Sequence, residues 1–162
     1  MSYFFMGIDP GKYGAVALGN KDLTEIYLEH CPASIVEMAK LITQLTKGRQ
    51  VLFCCLENVW AFGHTDRKEG VTSAFKFGKN FGAWQGVLAA QGINTILTTP
   101  QKWQKYSLMS ARGKTVKHKS FNKAKMLYPA LLKNITNDNG KADALHILRY
   151  AIMIYKNPAL AR

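Results

Sequence analysis

Met6-Gly7-Ile8-Asp9-Pro10-Gly11, entered through the apolar run at residues 3–6, decides how this chain folds. A short run of aromatic and apolar side chains halted by Asp-Pro-Gly predicts a buried strand with one carboxylate at its C-terminal end. Pro10 ends the sheet pairing, and Gly11 allows a tight turn or the close approach of a ligand. Asp9 alone fits a turn-capping role as well as a functional one. A second acid set in the same way, Glu57 after the apolar run 51–56, and a third on a late helix, Asp143, give it company.

Outward from that strand, residues 13–19 and 23–30 predict two further strands, with the turn-rich Asn20-Lys21-Asp22 between them making a three-stranded antiparallel meander. Ser34 and Glu37 have capping-box spacing. Ile35, Met38, Ala39, Ile42 and Leu45 follow as the apolar face of a helix stopped by Gly48. The unbroken apolar run 51–56 is the pattern of a strand covered on both faces. Residues 58–69 read as a polar loop, and a helix is predicted from about 71 to 91.

In that helix Gly78, Gly82 and Gly86 recur every fourth residue. Each glycine costs about 1 kcal/mol relative to alanine, so the row implies close packing on the sheet, another helix or a second subunit. A fifth strand at 94–98 follows, then a short helix opened by Pro100 and a basic loop at 107–116, predicted to be mobile. A basic helix at 117–128 and a last helix at about 141–155 complete the chain. The order predicts an α/β fold: a mixed five-stranded sheet with three antiparallel strands plus two parallel ones and helices on both faces. Strand four returns beside strand one by a right-handed crossover. There is no internal repeat, low-complexity tract or linker, so residues 1–162 read as one domain.

Composition narrows the function. The 162 residues are 48% hydrophobic, and no run approaches the roughly 18 apolar residues of a membrane span. The N-terminus has no basic segment leading into an apolar one, which argues against secretion. Cys31, Cys54 and Cys55 have neither zinc spacing nor an even count; reduced thiols and a cytoplasmic setting are expected. Charge says more: 22 Lys and Arg stand against 10 Asp and Glu, a net +12. No acid occurs between Glu69 and Asp138, while that span carries eleven Lys and Arg residues. Ordinary soluble surfaces mix both signs, so an acid-free basic half points to a polyanion, most simply nucleic acid.

If strands one and four are parallel neighbours, about 4.8 Å apart, Asp9 and Glu57 end at the same sheet edge, where α/β folds place their ligands. Anions so close repel unless a cation or basic group neutralises them. Hard oxygen ligands without Cys or His at zinc spacing suit Mg²⁺ or Mn²⁺. On a DNA-binding protein this suggests phosphodiester hydrolysis by two ions roughly 3.5–4 Å apart.

Gly7-Ile8-Asp9-Pro10-Gly11, Leu56-Glu57-Asn58-Val59-Trp60 and Ala142-Asp143-Ala144-Leu145 together resemble the RuvC family of Holliday-junction resolvases, and most closely its bacteriophage-type members. The resemblance implies an RNase H-like fold, a homodimer, and four acidic positions that bind divalent metal. The implied activity nicks opposed strands of a four-way junction, leaving 5′-phosphates and 3′-hydroxyls. It also implies a cytoplasmic location, that of a bacterial host if the protein is phage-encoded. Whether a helicase partner exists is not implied.

Asp9, Glu57 and Asp143 match three of the acidic positions. The fourth is Gly140 here, and Asp138 is the nearest substitute. An offset of five residues within a helix turns a side chain about 140° away, so Asp138 is either a ligand set ahead of the helix or simply its N-cap. His146, one turn beyond Asp143, is a weaker ligand candidate and otherwise a core histidine. Trp60 stands where the family places an aromatic near the junction centre, with stacking worth roughly 1–3 kcal/mol. Lys119 matches a family lysine beside the active site, where a cation stabilises transition-state charge. A second family lysine meets Gln104, with Lys102 or Lys105 as replacements. Arg112, Lys114 and Lys117 complete the expected DNA-binding set. Competing readings are a junction-binding protein with weak or no cleavage, an RNase H-like nuclease of looser choice, and a nucleotide-binding relative whose only glycine-rich stretch is 11–14.

Overall fold

A computed structural model describes residues 3–58, 71–136 and 138–161. Strands β1 (Tyr3–Ile8), β2 (Ala15–Asn20) and β3 (Ile26–His30) precede helix α1 (Ile35–Thr46), strand β4 (Gln50–Glu57), helix α2 (Val71–Ala90) and strand β5 (Thr95–Thr98). Helices α3 (Pro100–Ser107), α4 (Val116–Leu127) and α5 (Asn139–Lys156) follow, and a 3₁₀ turn, Pro158–Ala161, which the sequence reading did not anticipate, closes the chain. The sheet order is β3-β2-β1-β4-β5. β1 pairs antiparallel with β2 and parallel with β4, and β4 pairs parallel with β5, as the order of elements predicts.

β1 sits at the centre because both its faces are apolar. Phe4, Met6 and Ile8 face α1 and α2, packing with Met38, Ile42, Trp84 and Leu88. Phe5 faces the other way, into a layer with α5, Trp103 of α3 and Phe121 of α4. Each such side chain contributes about 1.5–3 kcal/mol on burial. Gly7 is required by α5: a Cβ there would lie 2.2 Å from the backbone nitrogen of Leu148. The helix therefore lies flush on β1, which brings its first turns to the strand's C-terminal end.

Strands β2 and β3 are shorter than expected. Asn20 binds the turn at both ends, its backbone N–H donating to Glu25 O at 3.1 Å and its Oδ1 accepting from Glu25 N at 3.1 Å. Leu23 takes the left-handed conformation, φ 57°, so β3 begins only at Ile26. The Ser34–Glu37 capping box forms as predicted, with Ser34 Oγ accepting from Glu37 N at 3.2 Å. The basic loop before α4 is tied to that helix. Asn122 donates to Arg112 O at 3.3 Å, and Lys123 donates to Met109 O.

One packing expectation is corrected. A Cβ built at Gly78, Gly82 or Gly86 would meet nothing within 4 Å, and all three glycines are exposed. The glycine row of α2 therefore does not pack on its own sheet. α2 packs through Trp84, Val87 and Leu88 instead. Among the described residues, no helix is long and apolar enough to cross a membrane.

Candidate active site

Three elements carry the three matched acids to one end of the sheet. Asp9 follows β1, Glu57 is the last residue of β4, and Asp143 lies in the second turn of α5. The loop 9–14 turns back sharply. Asp9 N donates to Ala15 O at 3.1 Å, Gly11 N donates to Asp9 Oδ1 at 2.9 Å, and a Cβ at Gly14 would lie 1.9 Å from Asp9 O. The Asp9 carboxylate is thus anchored by the very turn that Pro10 and Gly11 announce.

Glu57 is 7% exposed and accepts a 2.7 Å hydrogen bond at Oε1 from the indole N–H of Trp103. Asp143 accepts at Oδ1 from the hydroxyl of Ser120 on α4. Each acid is therefore oriented by its own neutral donor.

Electrostatics tie the three together. Burial pushes the Glu57 carboxyl up to about 8, and the charges of Asp9 and then Asp143 add to this against the Trp103 hydrogen bond. Burial likewise raises Asp143 to about 7; the Ser120 hydroxyl and Lys117 oppose the rise, and Asp9 adds to it. Asp9 is raised by burial, with the Gly11 N–H and Lys117 pulling the other way. The Asp9 charge thus raises both Glu57 and Asp143, and the Asp143 charge raises Glu57, so the three carboxyls act within one low-dielectric site. As the side chains stand, no group of three His, Cys, Asp or Glu residues among the described residues is gathered tightly enough to cage a cation.

The remaining candidates separate. Asp138 is the N-cap of α5: Oδ1 accepts from Lys141 N at 3.0 Å, and Oδ2 pairs with His30 Nε2 at 3.1 Å. Both its oxygens are engaged, and the cap reading describes it as it stands. Gly140 holds no acid for a steric reason, since a Cβ there would lie 1.8 Å from Tyr13 O. The position that the resemblance fills with an acid is here filled by the backbone of the β1–β2 loop.

His146 is fully buried, with its imidazole pushed down to about 4 by burial, and so it is neutral. Its Nε2 lies 3.0 Å from the carbonyl of Ser120, an acceptor only, so Nε2 carries the hydrogen. It faces the helix layer as a core residue. Of the α4 lysines, Lys117 is the one whose charge reaches Asp9 and Asp143. Lys119, two residues on, points about 200° round the helix from it and is half-buried. Lys105, Arg112, Lys114 and Lys117 are exposed, and Lys102 is half-buried. Trp60 lies outside the described residues.

The sequence reading missed Trp103 and Ser120. A tryptophan inside the polar helix PQKWQKYS must turn inward, and a hydroxyl beside Phe121 and Ala124 on a buried face needs a partner. Both signals were present, but neither names its acceptor.

The class this defines is an α/β chain of RNase H-like architecture. Among solved structures the chain is similar to RuvC of Thermus thermophilus. A structure of T. thermophilus RuvC in complex with Holliday junction substrate matches with a TM-score of 0.59 and 18% identity over 96% of each chain. A second Thermus thermophilus RuvC structure matches with a TM-score of 0.58 and 18% identity, over 94% of this chain and 95% of that one. The fold is that of RuvC. Neither family models nor curated proteins match at the level of sequence.

Proposed function

We propose that this chain is a divalent-metal-dependent, structure-selective endonuclease that nicks branched DNA, four-way junctions above all, as a homodimer. The observation that carries the reading is the set Asp9, Glu57 and Asp143. They come from three separate elements and stand in mutual electrostatic range at the C-terminal edge of the parallel strands. The RuvC-like fold and the acid-free basic stretch support it.

The donor set suits a hard divalent cation in chemistry: carboxylate oxygens only, with the charge of Asp9 raising both Glu57 and Asp143. Asp9, Glu57 and Asp143 would hold Mg²⁺ or Mn²⁺. When bound, such ions activate water and stabilise the leaving oxygen. The chain's own residues do the rest. Trp103 and Ser120 each hold one carboxylate oxygen, of Glu57 and of Asp143, and so fix the orientation of both side chains. Near neutral pH Glu57 and Asp143 hold protons for part of the time, and they would have to release them to hold a cation. The basic surface of α3, α4 and the loop between them attracts the phosphate backbone, and Lys117 adds positive charge beside the acids. A twofold dimer would match the approximate symmetry of a junction, one site for each opposed strand.

Two observations favour a second reading, junction binding without efficient cleavage. The fourth acid is absent at Gly140, and the three acids are not yet gathered into a cage. Labelled four-way junction, duplex and RNA–DNA hybrid, each with Mg²⁺ and with EDTA, separate the readings. Paired junction nicks lost in Asp9→Asn and Asp143→Asn are expected. Junction binding without nicks under any metal would establish the second reading, and preferred hybrid cutting would make the chain a ribonuclease.

A further inference from the structure

Two of the three acids, Glu57 and Asp143, are joined by a run of buried contacts that leaves the sheet at β4 and ends on α5. Glu57 Oε1 accepts from the Trp103 indole at 2.7 Å. The Trp103 ring lies parallel to the His146 ring, 11° between planes with centroids 6.1 Å apart. His146 Nε2 donates to Ser120 O at 3.0 Å, and the Ser120 hydroxyl donates to Asp143. Trp103, His146 and Ser120 come from α3, α5 and α4, and are 1%, 0% and 0% exposed. Ser107 secures the middle of the run, its hydroxyl donating to His146 O at 3.2 Å.

Resting on the nuclease reading, we infer that Trp103 is a positioning residue. Its indole N–H fixes the plane of the Glu57 carboxylate that would face a divalent cation, and its ring on His146 ties that carboxylate to the Ser120–Asp143 side of the site. A tryptophan kept only for core volume would need no acid at its nitrogen. Here the N–H reaches across 46 positions of sequence to the one acid of β4. Burying that acid beside Asp9 is costly, and a single well-directed donor both lowers the cost and fixes the carboxylate plane. His146, neutral and with Nε2 committed to a carbonyl, is the plate on which the indole rests, and it carries the same constraint to Ser120.

Trp103→Phe keeps a ring against His146 and removes the donor. In calorimetry without DNA, Mn²⁺ affinity is expected to fall roughly tenfold, the size of one hydrogen bond to a charged group. Junction affinity in EDTA should stay within about twofold, because no phosphate contact is removed. In a Glu57→Gln background the same change should cost little more, since Trp103 acts through Glu57. An equal loss in that background would make Trp103 a purely structural residue and overturn the inference, as would wild-type Mn²⁺ affinity in Trp103→Phe.

A wild type that binds no Mn²⁺ would overturn the nuclease reading and this inference with it. Should Trp103→Phe fail to fold, Mg²⁺ titration of the wild type followed at the Trp103 indole N–H resonance still decides. A shift abolished by Glu57→Gln upholds the inference, and an unmoved resonance refutes it.

Discussion

Glu57 is a carboxyl whose folded-state affinity for a proton is raised, from 4.5 to about 8. For an acid, that sign means the folded state holds more protons than the unfolded state at every pH between the two values, so stability falls as pH rises. Asp143, raised to about 7, adds to the fall in the lower part of the range. His146, pushed down to about 4 from 6.5, has the opposite slope, but only below 6.5. The clean window is therefore pH 6.5 to 8. Metal-free protein should lose on the order of 2 kcal/mol across it, read as a falling midpoint in urea unfolding. Glu57→Gln should remove most of the slope, and a midpoint that rises with pH in the wild type would contradict the burial assigned to this acid.

At the scale of elements, α5 shows what the sequence does and does not carry. Its start was legible because Asp138-Asn139-Gly140 breaks the chain before an apolar run, whereas its docking against Gly7 of β1 appears only in the fold. The role of Asp138 was not legible, because a cap and a ligand are the same residue type in the same place. Asn caps a helix about as well as Asp, so Asp138→Asn should change stability by less than about 1 kcal/mol and leave junction nicking close to wild type. A loss of nicking matching that of Asp9→Asn would make Asp138 a ligand. The strands were legible for a plain reason: β1 and β4 are apolar on both faces, and only a central position in the sheet satisfies that. Trp103 and Ser120 could be expected to be buried, but their acceptors lie 46 and 23 residues away, and no local pattern fixes a pairing across three helices.

The molecule as a whole is a basic chain, net +12, and the glycine face of α2 is uncovered by any of the described residues. Gly78, Gly82 and Gly86 cost helix stability and meet none of the described residues, so in the proposed homodimer this face of α2 would be the one that packs on the second copy. Gly82→Leu should leave the monomer's melting temperature unchanged or raised, because the added side chain meets open space, yet shift the protein towards monomer in sedimentation. An unaltered dimer would place the interface elsewhere.

β1, β4 and α5 carry Asp9, Glu57 and Asp143 to one end of the sheet, where the proposed reaction needs all three to hold its cation. Anomalous diffraction from crystals grown with Mn²⁺ tests that requirement most directly. A peak is expected within ligating distance, roughly 2.0–2.3 Å, of oxygens from all three carboxylates. A peak bound by other side chains, or an empty site with Mn²⁺ in excess, would contradict it.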